Sequence, residues 1–430
     1  MTNSPRKIAF DILQDVHINK SYANLSLKDR LKNQKPLDAS FITRIVFGVL
    51  QNEIYIDYYI KKYTKGKRIK PKIMEILRIG VYQILFMDKV PDNAAVDECV
   101  KITKQLKLQS LSGFVNGVLR SISREKDNLP QISASTKAEY LSVKYSHPLW
   151  LVEKFMSEFS KEDVEQILIA NNQNAPIVCR VNTVKTTVND VIKKLENIEV
   201  TVCETPENSL ILSKTGDIEQ LQAFQDGDIY VQDFASQYAV SVLSPTEGST
   251  LIDCCSAPGG KSFLSAQYMQ NKGEIFSFDI HPHKLEIIEK TASRLGLDII
   301  KTGVQDASVF DVKLEKTADF VLCDAPCSGL GIIRRKPEIR YKEDISELPQ
   351  IQLDILSNVS RYVKNGGTLV YSTCTIISDE NTQVVEKFLE NNEDFYLEDF
   401  TIQGKSQSML TLLPHIHNTD GFFIAKLRRK

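Results

Sequence analysis

A chain of 430 residues is long enough for two or three domains, each with a sizeable core. Its 42% hydrophobic and 25% charged residues are those of an ordinary soluble globular protein, and no apolar run approaches the ~20 residues of a membrane span. The net charge of −2 hides an asymmetry: residues 1–130 hold 23 basic and 13 acidic residues, the remainder 30 and 42. A basic N-terminal third on an acidic body points to nucleic acid, with a lysine-rich solvated surface as the alternative. The start, Met1 to Arg6, lacks the apolar core of a signal peptide. Eight cysteines in so long a chain are no disulfide framework, and the adjacent Cys254 and Cys255 make a poor bridge. The cytoplasm is the expected compartment.

Residues 5 to about 122 read as helices. Phe41–Leu50 and Ile73–Met87 carry helical apolar spacing, Pro91-Asp92-Asn93 forms a turn and N-cap before a helix from Ala94, and Phe114 opens the last helix. The cluster Lys61, Lys62, Lys65, Lys67, Arg68 and Lys70, interrupted by Gly66 and stopped by Pro71, is placed on a loop. An all-α domain over 1–128 follows. Residues 123–136, with Pro130, read as a linker, and Tyr145–Trp150 leads into a helix from Leu151. Strands at 178–182, 200–203 and 209–212 around a short helix at 188–195 suggest a small α+β module within 129–236. Over 237–430 strand-like runs (250–253, 273–279, 299–302, 320–323, 368–372) alternate with helical ones (284–295, 349–363), the pattern of an α/β doubly wound, mostly parallel sheet.

Open α/β sheets place their chemistry at the carboxyl ends of strands. After the first strand comes Cys255-Ser256-Ala257-Pro258-Gly259-Gly260-Lys261, a glycine turn into a helix whose free N–H groups favour a carboxylate or phosphate. It is neither GxGxxG nor a P-loop. Asp279 ends the second strand, 20 residues beyond Gly259, where an acid suits ribose hydroxyls or, alternatively, caps a helix. Asp306, after the third strand, could accept from an adenine amino group or cap a local turn. Asp324-Ala325-Pro326-Cys327 and Ser372-Thr373-Cys374 leave apolar strands into polar turns, where a thiolate can form and react. Cys99, Cys179, Cys203 and Cys323 read as small buried hydrophobes. No CxxC pair supports a metal site, and no G-x-S-x-G supports a serine hydrolase. The basic stretch Arg334, Arg335, Lys336, Arg340 and Lys342 suits a phosphate backbone, with solvated charge as the alternative.

The 255–261, 324–329 and 372–374 motifs resemble those of S-adenosylmethionine-dependent RNA cytosine-5 methyltransferases of the Sun family. Arg78–Gln83, Pro91–Glu98 and Phe114–Arg120 are similar to the NusB-like helical domain of the bacterial branch that acts on small-subunit (16S) ribosomal RNA; Tyr145–Pro148 and Val231–Asp233 resemble its connecting segments. The resemblance implies a NusB-like domain, an RRM-like module and a Rossmann-like methyltransferase domain. It further implies Cys374 as the nucleophile that adds to C6 of cytosine, Cys327 as the residue that helps product release, and Asp324 as base-positioning or cofactor-binding. S-adenosylmethionine would be held by residues 255–261 with Asp279 and Asp306. Arg180 of the small module and the loop of Arg334, Arg335, Lys336 and Arg340 would contact the RNA. No metal or membrane partner is implied, and a monomer is expected. Two alternatives stand: a methyltransferase of transfer RNA or DNA, and a non-catalytic RNA-binding assembly factor. The absence of the Pro-Cys-Gln motif of the DNA enzymes weighs against the first, and the paired cysteines beside a cofactor turn weigh against the second.

Overall fold

A computed structural model describes residues 4–19, 21–342 and 345–430. The chain divides into two compact units, one of residues 1–173 with 333–342, the other of 174–332 with 343–430.

The first unit is helical. Helices Pro5–Asn19, Ala23–Leu31, Pro36–Tyr63, Pro71–Phe86, Asp92–Gln105 and Ser112–Glu125 share one core. Their apolar residues recur at helical spacing; Ser112–Glu125 buries Val115, Val118, Leu119 and Ile122 on one stripe. Three shorter helices, Lys137–Tyr145, Leu149–Glu158 and Lys161–Ala170, complete the unit. Several expected boundaries move. The helix expected from Ala94 starts at Asp92, and the last helix of the core runs to Glu125 with a 3-10 turn to Asn128, so the presumed linker opens later than Ser123. Lys61 and Lys62 lie in a helical last turn, where cations favour the helix dipole, and Pro71 begins a helix, since a first-turn proline gives up no needed N–H.

Helix Pro36–Tyr63 breaks at Asn52, whose backbone leaves the helical region (φ −115°, ψ 15°). A break orphans backbone groups, and buried orphans must find partners. Arg340 donates through Nη1 to the carbonyls of Gln51 (3.1 Å) and Ser146 (2.6 Å), Tyr341 donates to the Leu50 carbonyl, and the Ile54 amide donates to Ser146 Oγ. Beside this lies a largely half-buried charge cluster. Arg78 pairs with Glu53, Asp57 and Glu75, and His17 Nε2 meets Glu53 Oε2 at 2.9 Å while its Nδ1 lies 3.1 Å from Glu75 Oε1.

The second unit holds two main sheets. The small one is antiparallel, with β1 (Ile177–Val181), β2 (Glu199–Cys203), β3 (Ser209–Ser213) and β4 (Ile229–Val231) in the order β2-β3-β1-β4. The large one contains β5 (Thr250–Asp253), β6 (Glu274–Asp279), β7 (Ile300–Val304), β8 (Ala318–Asp324), β9 (Val363–Thr373) and β10 (Phe395–Leu397). A hairpin of β11 (Phe400–Ile402) and β12 (Lys405–Gln407) stands apart, while β13 (Met409–Leu412) and β14 (Phe422–Arg429) join the large sheet. Its order is β10-β14-β9-β8-β5-β6-β7, parallel from β7 to β9 and antiparallel at β14. Val321-Leu322-Cys323 and Leu369-Val370-Tyr371 are fully buried, as befits parallel strands covered on both faces. The strands after residue 395 escape the alternation seen in the sequence because most are three or four residues long. Chain order reverses beside β5, which opens a crevice at the carboxyl ends of β5 and β8.

Burial pulls the His17 imidazole down, and Glu53 and Glu75 more than reverse this, raising its pKa from 6.5 to about 9. A pKa raised on folding contributes stability that is full below 6.5 and is lost as pH rises through about 9. Urea midpoints should therefore fall across that window by the equivalent of roughly 2–3 kcal/mol. His17→Gln should remove most of the slope; an unchanged slope would place the titrating group elsewhere.

Candidate active site

The crevice is a cavity of about 650 Å³ whose wall includes Cys255, Ala257, Asp279, Asp306, Asp324, Cys327 and Cys374. It gathers residues from five strand ends. The first turn begins at Asp253, buried at the end of β5, whose Oδ2 accepts from Ser262 Oγ at 2.7 Å while Ser262 meets Ser277 Oγ at 2.8 Å. Burial pushes the Asp253 carboxyl up to about 7. Ser256 donates twice to the Phe278 carbonyl, which ties the turn to β6. Gly259 has φ +100°, and a Cβ there would lie 2.5 Å from the Phe263 ring, so only glycine closes this turn.

Asp279 and Asp306 both face the cavity; Asp306 caps its local turn, but the N-cap of helix Pro282–Leu295 is His281, so Asp279 does not cap that helix. Asp279 Oδ1 accepts from the His281 amide at 2.9 Å, and Asp306 Oδ1 accepts from the Ser308 amide and hydroxyl. Those bonds hold the Asp306 carboxyl below its ordinary range. The capping reading thus holds for Asp306 alone; in each acid one oxygen closes a turn, and among the described residues the other receives no hydrogen bond. Two aspartates with an open oxygen each, on successive strand ends beside a glycine turn, fit a ligand carrying a ribose and an amino-substituted base.

Asp324 is held on both oxygens. Lys261 Nζ donates to Oδ2 at 2.6 Å and Ser372 Oγ to Oδ1 at 2.7 Å. Burial lowers the Lys261 pKa, and the Asp324 charge more than compensates, so the ammonium is secured. Lys261, expected to hold the ligand, thus serves first as the counter-ion of Asp324. It also sits 5.2 Å from the Phe422 ring centroid. Cys327 Sγ and Cys374 Sγ lie 3.2 Å apart, and the Cys374 amide donates to Cys327 Sγ at 3.3 Å. The hydrogen bond shared with Cys374, then burial, pushes the Cys327 thiol well up.

Apart from Cys254 and Cys255 in the cavity wall, the remaining thiols lie outside that cavity. Cys99, Cys179, Cys254 and Cys323 are buried, and Cys203 is half-buried. Among the candidate RNA contacts the structure makes a correction. Arg340 is fully buried in the helical unit and donates to Gln51, Ser146 and Asn172, so its guanidinium is used in packing. Arg334 is also buried, whereas Arg335 and Lys336 are half-buried, Lys336 over the Tyr22 ring. Charge in a basic run cannot tell these fates apart in the sequence. Arg180 is buried as well: it lines a second cavity of about 470 Å³ beside Gln267, Tyr238 and Tyr268, and its guanidinium donates to the Glu207 carbonyl. Gln305, His281 and Ile351 also line the first cavity and carry no motif. Gln352 had a signal: it is an amide on the same helical face as Ile355, Leu356 and Val359, a buried polar position that needs partners.

Comparison with known proteins agrees with this layout. The family description "16S rRNA methyltransferase RsmB/F" matches residues 240–428, the NusB family 3–124, and the ferredoxin-like domain of RsmF/B-like methyltransferases 147–219. The chain is 37% identical over 99% of both chains to a "Probable ribosomal RNA small subunit methyltransferase B" of Bacillus subtilis, and 36% identical over the same shares to one of Synechocystis. Among solved structures, that of PH0851 superposes with a TM-score of 0.82 at 28% identity, covering all of both chains.

Arg340→Ala should lower stability by roughly 3 kcal/mol or more, because it leaves buried carbonyls unpaired. Arg335→Ala should change stability, read from the urea midpoint, by about 0.5 kcal/mol or less. Equal, small effects would mean that the Arg340 bonds are dispensable.

Proposed function

Because the chain belongs to the family of ribosomal RNA small subunit methyltransferases B, we propose that it methylates C5 of a cytosine in 16S ribosomal RNA through a covalent bond between Cys374 Sγ and C6 of the base. The observation that carries this reading is the pair of thiols 3.2 Å apart, beside an aspartate fixed on both oxygens, in the wall of one cavity.

C5 of cytosine is a poor nucleophile. Addition of the Cys374 thiolate to C6 makes C5 electron-rich. S-adenosylmethionine, for which Asp279, Asp306 and the Gly259 turn are the binding residues, supplies the methyl group. Asp324, oriented by Lys261 and Ser372, holds the N3/N4 edge of the base. Once C5 carries the methyl group its proton passes to water, the Sγ–C6 bond breaks, and the electron pair returns to Cys374. The Cys327 thiol, protonated and in hydrogen-bond range, donates to that departing sulfur. Attack from the face of the ring needs an unstacked target base. Domain 237–430 performs the chemistry, while 129–236, 1–128 and the cations Arg335 and Lys336 hold RNA.

Cys327→Ala, incubated with S-adenosylmethionine and 16S RNA or 30S particles, should accumulate a denaturant-resistant protein–RNA band. The band should vanish in Cys327→Ala/Cys374→Ala, and Cys374→Ala alone should lose ~10³-fold or more of its methyl transfer. Absence of both the band and wild-type methyl transfer on either RNA form would sink the reading.

A further inference from the structure

Behind the two thiols lies a layer of buried polar residues that the chemistry above does not use. Glu380 and Asn381 are consecutive and buried, just beyond the Cys374 turn. Glu380 Oε2 accepts from the Ser328 amide at 2.8 Å and from Gln352 Nε2 at 2.8 Å, and Gln352 Nε2 also donates to the Pro326 carbonyl at 2.9 Å. The peptide groups on both sides of Cys327 are therefore gripped. Asn381 treats the other loop alike: its Oδ1 accepts from Thr373 Oγ1 at 2.6 Å and its Nδ2 donates to the Thr375 carbonyl at 3.1 Å, bracketing Cys374. Tyr371 anchors the pair by donating to the Glu380 carbonyl at 2.7 Å. Two cross-ties, Ser328 Oγ to Thr375 Oγ1 at 3.0 Å and the Gly331 amide to the Cys374 carbonyl at 2.9 Å, join the loops.

We propose that Glu380 and Asn381 set the relative placement of the two thiols, Glu380 as the positioning residue for Cys327 and Asn381 as that for Cys374. A buried carboxylate is retained at a cost, so its two short bonds to the Cys327 loop mark a placement worth holding. The inference rests on the roles proposed for the two cysteines. It assigns neighbouring residues to different steps: Glu380 to release, Asn381 to attack.

The two residues should therefore fail differently. In Glu380→Ala the first turnover of methyl transfer should stay within about 3-fold of wild type, steady-state turnover should fall by about 10-fold or more, and the covalent RNA band should accumulate, since displacement of a reacting group by ~1 Å costs about 10²-fold. In Asn381→Ala the first turnover itself should fall by about 10-fold or more, and no band should form even in the Cys327→Ala background. Glu380→Gln should restore release: a carboxamide oxygen can take both donors, and its NH2 would occupy the place of Oε1, which has no hydrogen-bond partner among the described residues. If Glu380→Ala does not fold, Gln352→Ala, which frees the Pro326 carbonyl, should show the same band. A band in Cys327→Ala but in neither Glu380→Ala nor Gln352→Ala would overturn the inference, as would equal loss of first turnover in the Glu380 and Asn381 variants. No band in Cys327→Ala would instead overturn the cysteine roles, and the inference with them.

Discussion

The parallel pairing of β8 with β9 is the constraint on which the site depends. Register places Asp324 opposite Ser372, and the Ala325 amide donates to the Ser372 carbonyl at 2.9 Å, so both strands end at one level. Whatever follows each strand must then emerge side by side. That is how Cys327 and Cys374, 47 positions apart in the chain, reach 3.2 Å. The same pairing puts the Ser372 hydroxyl against one oxygen of Asp324 while Lys261, from the turn after β5, takes the other. One carboxylate thus ties three strands together and presents a fixed edge to the cavity.

Buried polar groups behind the site keep its shape. The Asp253–Ser262–Ser277 chain locks the start of the helix after the glycine turn to β5 and β6. Its carboxyl, raised to about 7 by burial, is uncharged or charged at modest cost near neutrality, which suits a position where a serine is the partner. The Glu380–Gln352–Asn381 layer does the equivalent for the thiol loops. Such networks specify one arrangement because any slip leaves a buried donor or acceptor unpaired. The chemistry is therefore carried by few atoms and positioned by many.

In the helical unit the same accounting explains Arg340. The helix breaks at Asn52, and the residue that donates to the Gln51 carbonyl beside the break lies nearly three hundred positions later. Segment 333–342 belongs to this unit by its packing, although in sequence it follows the Cys327 motif directly. A run of cations in the sequence is thus divided by burial into a packing residue, Arg340, and the more accessible Arg335 and Lys336.

Much of this architecture was legible in the linear chain. Apolar spacing marks the helices before residue 122, the runs Thr250–Asp253 and Phe320–Cys323 mark the buried strands, and the Pro258-Gly259-Gly260 turn, Asp279, Asp306 and the two cysteines announce themselves because each ends or follows a strand. Local signals suffice there, since periodicity and turn chemistry act over a few residues. Glu380 was invisible as a site residue because its partners Ser328 and Gln352 lie 52 and 28 positions away, and β10 and β13 find their ladder partner only in β14. The sequence by itself determined which side chains are available to react and on which kind of element each sits. Only the tertiary structure decided which of them share a cavity, which oxygen of each acid stays open and which cations face inward, because those outcomes follow from strand register and burial rather than from any neighbour in the chain.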